Sequence, residues 1–369
     1  MNFKKVILLI SSIGFSLIIF EVGLRWFTVF PIHIPLANRV YDERLGYRLD
    51  PSLKDVDRNG FRNKKELKKV DIVTLGDSHT FGENVSLEES WPQQLALMTN
   101  SSVYNFGVGG YGSLQYYYLI DEAIKLSPKH LILGLYLSND LSDTCTLMNE
   151  LGFWQNWAKE RDFNIEACVN LKQSNSLIHP TMWGRIESTL TKTAIGSSIA
   201  YFSQIPLIKD PNDSIIVNEK KNKTFIKLEK ISNHKTFTDL AQPGIALSFE
   251  ITKVILLEAK RKADVNNIQF SIVFIPSKEN VFYDYLIEKG YKLPNDYHKL
   301  IENERTLVDK FSVFLREIGV RYVDARPYVV QELNKSGNVY QTSYDGHPTK
   351  IGYEAYAKAV YDNILYPKK

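Results

Sequence analysis

Three residues of the sequence have the side chains that acyl transfer requires. Ser78 stands just after an apolar run at 70–75, and Asp345 and His347 stand just before the last amphipathic segment. A serine is a poor nucleophile unless a base removes its proton during attack, and a carboxylate must hold the imidazole in the correct tautomer. We therefore predict that Ser78 is a nucleophile, that His347 is its base, and that Asp345 orients the histidine.

Acyl transfer also needs hydrogen-bond donors for the oxyanion. Glycine lets a backbone N–H approach a reacting atom closely, and an asparagine amide can donate from a neighbouring strand end. Gly110 lies in a glycine-rich segment at 107–113, and Asn139 follows an apolar run at 130–137. We predict that the N–H groups of Ser78 and Gly110 and the amide of Asn139 form the oxyanion site.

Short β-rich runs alternate with helical segments over most of the chain. The runs lie at 70–75, 102–106, 130–137, 269–275 and 321–324, and the helical candidates lie at 91–98, 114–126, 247–263, 298–318 and 351–365. This alternation predicts an α/β fold of three layers, in which helices cover both faces of a doubly wound parallel sheet. Ligands bind beyond the carboxyl ends of the strands in such sheets, and the candidate residues follow those ends.

The order of these segments also predicts how the chain is divided. We expect residues 1–30 to be a cytoplasmic tip and transmembrane anchor, residues 31–69 to be an irregular stalk that packs where it meets the domain, and residues 70–369 to be the domain itself. The alternation stops between 141 and 244, which is too long for an ordinary loop and predicts an insertion with helices of its own. Residues 183–201 are the candidate for a helix lying over the cleft.

The N-terminal segment has the pattern of a membrane anchor. Lys4 and Lys5 precede an uncharged run at 6–20, and mostly apolar residues continue to position 30 with Glu21 and Arg25 as the only charges. A stretch from 6 to 24 is just long enough to span a bilayer, and lysines before it favour a cytoplasmic N-terminus with the rest of the chain outside the cytoplasm. A cleaved signal peptide and a buried core helix are the alternatives.

Composition argues for a globular protein without a nucleic-acid partner. The 369 residues include 45 Lys and Arg against 42 Asp and Glu, so the net charge is only +3, whereas nucleic-acid-binding domains typically carry a strong basic excess. The cations between Lys54 and Lys69, Arg62 among them, alternate with acids, which predicts a solvated face. The two cysteines, Cys145 and Cys168, exclude a cysteine-rich scaffold or zinc site and leave one bridge open as an alternative to free thiols.

Four short motifs, in order, resemble the SGNH hydrolase family, also called GDSL-like esterases and acylhydrolases. The matching segments are 76–78 for block one, 105–113 for block two, 138–140 for block three and 345–348 for block five. They belong to roughly 200 residues, the size of one doubly wound domain. The resemblance implies a flavodoxin-like sheet, with Ser78 as nucleophile and first oxyanion donor, Gly110 and Asn139 as further donors, and His347 as base.

The match departs from the family at one position. The family usually places its aspartate three residues before the histidine, where this chain has Tyr344, and Asp345 stands two residues before His347. Membrane-anchored relatives that act on exopolysaccharide resemble this shorter form. They also have a run similar to Ile-Pro-Ser-Lys-Glu at 275–279, for which the sequence suggests no role.

The resemblance and the N-terminal segment together imply a membrane-anchored serine esterase or O-acyltransferase. Its catalytic domain is expected on the extracytoplasmic side, in the periplasm or at the cell surface. The implied substrate is an acyl ester, above all an acetyl ester, of cell-envelope or exported polysaccharide, and polysaccharide export proteins are the expected partners. No cofactor, metal or nucleic acid is expected.

Other interpretations of the same residues stay open. Residues 107–112 satisfy G-x-G-x-x-G, but the acid expected about twenty residues later in a dinucleotide site is missing. Asp77 with His79, and Asp345 with His347, are both Asp-x-His pairs that could bind a metal, as in a metal-dependent phosphoesterase. The same fold could serve as a non-catalytic glycan-binding module of an export machine, and each residue taken alone could serve a turn or a helix cap.

Overall fold

A five-stranded parallel sheet forms the centre of the protein. The computed structural model describes residues 39–169, 171, 214–219 and 222–367, with positions 12, 15–17, 19 and 20. Along the chain the strands are β1 (Arg39–Asp42), β2 (Gly46–Leu49), β3 (Ile72–Leu75), β4 (Val103–Asn105), β5 (His130–Leu135), β6 (Ser214–Glu219), β7 (Asn222–Lys227), β8 (Gln269–Phe274) and β9 (Arg321–Asp324). The central sheet has the order β4-β3-β5-β8-β9 with all pairs parallel. This is the flavodoxin-like order: the chain adds β4 on one side of β3, and then adds β5, β8 and β9 on the other side.

Helices follow the strands on both sides of the sheet. They are α1 (Ser78–Phe81), α2 (Trp91–Thr99), α3 (Ser113–Lys125), α4 (Asp140–Glu150), α5 (Gly152–Lys159), α6 (Leu228–Phe237), α7 (Pro243–Val265), α8 (Lys278–Glu288), α9 (Asn295–Glu317), α10 (Arg326–Ser336) and α11 (Lys350–Val360). The β runs predicted from the sequence are confirmed as the strands of the central sheet. The predicted helices are confirmed as α2, α3, α7, α9 and α11, although α11 ends at Val360 and a π-helical turn, Tyr361–Leu365, completes the predicted segment.

Alternate side chains of the strands enter two different hydrophobic cores. On β5, Leu131, Leu133 and Leu135 lie in one core, and Ile132 lies in the other. Helices α3 and α7 close the first core, and α2, α8 and α11 close the second. Because both faces of the sheet are buried, its strands contain continuous apolar runs. The three-layer arrangement predicted from those runs is confirmed.

The described part of the segment before the sheet contains a β-hairpin. β1 and β2 form an antiparallel hairpin, and Leu45, Tyr47 and Leu49 of this hairpin are buried in the first core. Strands of four residues are too short for their alternation to stand out in the sequence. Residues 39–49 therefore contribute to the core, within the part of the chain expected to be an irregular stalk.

The prediction that the basic cluster forms a solvated face is wrong for one of its members, Arg62. The other six cations are exposed as predicted: Lys54, Arg58, Lys64, Lys65, Lys68 and Lys69. The Arg62 side chain is 1% exposed. The guanidinium donates hydrogen bonds to the carbonyls of Phe81, Gly82 and Val85, which lie at and just beyond the end of α1. A planar group with five donors can satisfy several carbonyls at once, which explains why an arginine is tolerated in the interior.

The predicted insertion has secondary structure of its own in its described parts. α4 and α5 follow β5, and the β6–β7 hairpin and α6 precede α7. The helix expected at 183–201 lies outside the described residues, and so does the anchor expected at 1–30 apart from the few positions between 12 and 20. In the part of the chain that the structure describes, we find no helix with the length and apolar character needed to cross a membrane.

A disulfide joins Cys145 of α4 to Cys168, which ends the short 3-10 helix Ile165–Cys168. Both residues are fully buried in the first core. Helix α4 starts directly after Asn139, so the bridge braces the helix next to one of the candidate site residues. The structure thus contains the disulfide, whereas the sequence left open whether the two cysteines are bonded or free.

We expect loss of this bridge to lower the free energy of unfolding without changing the fold. The two cysteines are 23 residues apart, and the chain-entropy relation for a loop of that size gives about 3 kcal/mol. Urea unfolding of a Cys145→Ser, Cys168→Ser double variant, compared with the wild type, measures the loss. As the control, reductant should destabilise the wild type and leave the double variant unchanged; equal stability of all four samples would contradict the prediction.

Candidate active site

The candidate nucleophile stands at the carboxyl end of a central strand. Ser78 is the first residue of α1, which follows β3, and Asp77 caps this helix by accepting a hydrogen bond from the His79 N–H at 2.9 Å. The turn requires Gly76, because a Cβ at that position would lie 2.1 Å from Thr80 Oγ1. Ser78 is therefore held, half-buried, at the edge of the sheet where ligands bind.

The structure brings Ser78, His347 and Asp345 into one hydrogen-bonded chain. His347 Nε2 lies 2.8 Å from Ser78 Oγ, and His347 Nδ1 lies 2.6 Å from Asp345 Oδ1. The same carboxylate oxygen accepts the backbone N–H of His347 at 2.7 Å. Asp77 Oδ2 is 3.3 Å from Ser78 Oγ, so the imidazole is the nearer acceptor for the hydroxyl proton. The aspartate two residues before the histidine thus reaches the position that orients the base.

Burial and the Asp345 carboxylate act in opposite directions on the imidazole. Burial disfavours the imidazolium, but the charge and hydrogen bond of Asp345 outweigh it and raise the pKa of His347 above its ordinary value. Burial also opposes the charge of Asp345, yet the His347 imidazolium holds the pKa of that carboxyl well below its ordinary range. Asp345 is therefore an anion that stabilises the imidazolium formed when His347 accepts a proton.

Two buried groups beside the triad tune its surroundings. Burial raises the pKa of Asp77 to about 6 and lowers the pKa of His79 well below its ordinary value. The His79 ring lies between those of Tyr136 and His347, at centroid distances of 4.1 Å and 4.8 Å. His79 is neutral near pH 7, so it packs against the base without adding a second positive charge.

The other two candidate donors approach Ser78 from neighbouring strand ends. A Cβ built on Gly109 would lie 3.4 Å from Ser78 Cβ, which places the glycine-rich segment against the nucleophile. Gly110 has φ +79°, a conformation that favours glycine. Asn139 precedes α4 at the end of β5. Among the described residues, the backbone N–H groups of Ser78 and Gly110 donate to no acceptor, so they are available to a ligand, and the buried side-chain amide oxygen of Asn139 has no partner.

Two hairpin residues that the sequence analysis missed hold the glycine-rich segment. Tyr47 Oη and Arg39 Nη2 both donate to the Gly109 carbonyl, and the Arg39 guanidinium stacks 3.8 Å from the Tyr47 ring centroid. In a trans peptide the C=O and the next N–H point in opposite directions, so these bonds turn the Gly110 N–H away from the hairpin. Contacts across 62 and 70 residues leave no local pattern that could have identified Arg39 or Tyr47.

The two Asp-x-His pairs have different contacts. His347 turns its Nδ1 to Asp345, whereas His79 Nδ1 is buried without a partner among the described residues, and Asp77 accepts only the His79 backbone N–H from this pair. The described ranges contain no group of three His, Cys, Asp or Glu side chains placed to hold a metal ion. The metal alternative can be tested directly by measuring activity in the presence of a chelator.

Comparisons with known proteins return distant similarities. No protein-family model matches the chain, and no curated protein matches it. Similar solved structures include a member of the lipolytic protein G-D-S-L family from Veillonella parvula (10% identity, TM-score 0.38, 80% of this chain and 99% of that one), a GDSL-like lipase from Bacteroides thetaiotaomicron (11%, 0.37, 79% and 85%) and the psychrotrophic esterase EstA from Pseudoalteromonas sp. (11%, 0.34, 80% and 96%). The names of two of these proteins include GDSL, the name of the family whose motifs this sequence resembles. At such identities and TM-scores, inference about activity rests on the site geometry.

We expect Asp345→Asn to lower the pKa of His347 and to reduce turnover by about a thousandfold, because the amide cannot stabilise the imidazolium. The base must be neutral to accept a proton, so wild-type activity should be lost as pH falls through the raised pKa of His347 and be fully present above it. Histidine NMR titration and pH–rate profiles measure both effects. A loss below about tenfold would mean that another group orients His347.

Proposed function

We propose that this protein is a serine esterase or O-acyltransferase of the SGNH hydrolase type. The observation that carries the proposal is the hydrogen-bonded chain from Ser78 through His347 to Asp345 at the carboxyl edge of the sheet. The unpartnered N–H of Gly110, in the segment that packs against that serine, and the side-chain amide of Asn139, just before α4, are the donors we assign to the second requirement of acyl transfer. A binding module without turnover has no need of a base 2.8 Å from a serine hydroxyl.

In the first half-reaction, Ser78 Oγ attacks the ester carbonyl carbon while His347 Nε2 takes the hydroxyl proton. The carbonyl oxygen becomes an oxyanion that receives hydrogen bonds from Ser78 N–H, Gly110 N–H and the Asn139 amide. When the intermediate collapses, the bond from the carbonyl carbon to the alkoxy oxygen breaks, and His347 returns its proton to the leaving alcohol. An acyl group remains bonded to Ser78 Oγ.

The second half-reaction repeats these steps with a new nucleophile. Water, or a sugar hydroxyl, attacks the acyl carbon while His347 accepts its proton, and the bond to Ser78 Oγ breaks as the proton passes to the serine. Water gives a free acid, and a sugar hydroxyl gives a new ester. The triad serves both outcomes, so the acceptor that enters the cleft decides between hydrolysis and transfer.

We propose that the acyl groups are O-acetyl esters of cell-envelope or exported polysaccharide. The support is the two-residue spacing from Asp345 to His347, which resembles membrane-anchored relatives that act on exopolysaccharide. In that setting, polysaccharide export proteins are the expected neighbours. The mechanism uses no cofactor or metal.

We propose further that the catalytic domain lies outside the cytoplasm and is anchored by the N-terminal segment. The disulfide between Cys145 and Cys168 supports an oxidising compartment, where such bonds persist. Lys4 and Lys5 before the uncharged run at 6–20 support an anchor whose N-terminus is cytoplasmic.

Ser78→Ala should abolish turnover of an activated acetyl ester, with a loss of at least about a thousandfold, because the variant has no hydroxyl to acylate. The assay follows acetate and acetylated glycan together, with and without a polysaccharide acceptor, and so separates hydrolysis from transfer. A fluorophosphonate probe should label the wild type and not the variant.

Ser101→Ala is the matched control, since Ser101 lies just before β4 at the opposite end of that strand from the site and its hydroxyl donates a hydrogen bond to the Thr99 carbonyl. It should keep full activity and labelling. Ser78→Ala retaining more than about a tenth of wild-type turnover would remove the nucleophile assignment. Loss of wild-type turnover on chelation, restored by a divalent ion, would favour the metal-dependent alternative.

The proposed anchor predicts that the full-length protein stays with membranes after a carbonate wash, because an embedded apolar helix resists extraction by alkali. Deleting residues 1–30 should release an active domain into the soluble fraction, since β1 begins at Arg39. A mature N-terminus near residue 25, determined by sequencing, would instead show a cleaved signal peptide.

A further inference from the structure

The residues that carry the base and its acid lie in a segment without regular secondary structure. This segment, residues 341–347, is here called the acid–base loop, and it lies between α10 and α11. A Cβ built on Gly346, between Asp345 and His347, would meet nothing within 4 Å. Packing at that position therefore does not hold the loop. Its local hydrogen bonds run from the Asp345 N–H to Ser343 Oγ and from the His347 N–H to Asp345 Oδ1, and contacts from other elements add to them.

Side chains from three other elements bind the carbonyls of the acid–base loop. The bonds are Thr224 Oγ1 to Gln341 O at 3.0 Å, Lys278 Nζ to Ser343 O at 2.8 Å, Lys230 Nζ to Tyr344 O at 3.0 Å and Lys278 Nζ to Asp345 O at 3.0 Å. Three successive carbonyls thus accept hydrogen bonds from two lysines. Lys278 begins α8, directly after the turn that follows β8, and Lys230 belongs to α6 of the insertion.

A lysine is unusual at position 278 because this site is buried. Lys278 is 1% exposed, and burial lowers its pKa to about 7. A buried ammonium is costly unless hydrogen bonds and charges compensate it, and here the compensation comes from the two loop carbonyls and from the charges of Glu279 and Asp345. An apolar side chain would fill the same space without that cost but could not bind the loop.

We propose that Lys278 is a positioning residue: by holding the carbonyls of Ser343 and Asp345, it aligns the Asp345 carboxylate with His347, and Lys230 completes this clamp from the insertion. The catalytic consequence rests on the proposed function, whereas the alignment itself does not. The proposal also assigns a role to the Ile-Pro-Ser-Lys-Glu run at 275–279: its strand-to-helix turn places one ammonium beneath the acid–base loop.

A double-mutant cycle on the full-length protein separates positioning from general stabilisation. Lys278→Met should lower kcat for an acetyl ester by about thirtyfold or more, with KM changed less than about threefold. In an Asp345→Asn background the same change should cost less than about threefold, because the carboxylate that Lys278 aligns is already absent. Lys310→Met, which removes an exposed lysine from α9, is the matched control and should keep wild-type kcat.

The pKa of His347 provides a second readout that does not need turnover. Losing the nearby positive charge alone would raise this pKa, whereas losing the alignment of Asp345 would lower it. Titration of histidine-labelled full-length protein, with the resonance assigned by its absence in His347→Gln, should therefore show a fall in Lys278→Met and no change in Lys310→Met.

Each outcome decides the inference. A rise or no change in the pKa of His347, a kcat within about threefold of wild type, or losses that multiply in the cycle would overturn it. If wild-type protein hydrolyses no ester, the proposed function fails while the titration still decides the alignment. If circular dichroism shows that Lys278→Met does not fold, Lys230→Met, at a half-buried position, should show the same fall in pKa with a smaller loss of kcat, and an unchanged pKa there would overturn the clamp.

Discussion

The hydrogen bond between Ser78 and His347 joins residues 269 positions apart, and the rest of the structure serves to keep both ends in place. Ser78 is held by the central sheet, since it follows β3 and begins a helix capped by Asp77. His347 lies in an irregular loop and depends on contacts from other elements. A proton can pass between the two side chains only while both remain within hydrogen-bond distance, so rigidity at both ends is the constraint that the fold must meet.

Charge around the site is arranged to favour one protonation pattern. Asp345 is ionised and raises the pKa of His347, while burial keeps His79 neutral and lowers the acidity of Asp77. Asp77 thus spends more of its time protonated than an exposed aspartate, although it lies 3.3 Å from the same serine hydroxyl. One carboxylate supports the base and the other caps the helix, and their different surroundings account for the difference.

Elements added to the five-stranded sheet converge on the site. The N-terminal hairpin orients the peptide between Gly109 and Gly110, and the disulfide braces the helix that follows Asn139. The insertion contributes Lys230 and Thr224 to the acid–base loop. A sheet by itself presents only strand ends, so the remaining donors and the loop carrying the base need support from outside the sheet. The insertion and the hairpin are therefore parts of the site's framework.

The sequence by itself was sufficient to predict the layers of the fold and to single out the three residues that the structure joins by hydrogen bonds. Continuous apolar runs identify strands because they report burial, and short motifs single out Ser78, His347 and Asp345 because acyl transfer needs those residue types. The roles of Arg39, Tyr47, Arg62 and Lys278, and the bonding of Cys145 to Cys168, became visible only in the tertiary structure. Each of these depends on a partner far along the chain, and a polar residue's local sequence does not reveal whether folding will bury it or which distant carbonyl it will meet. Local periodicity thus determined the elements, while long-range burial of polar groups decided how the site is held.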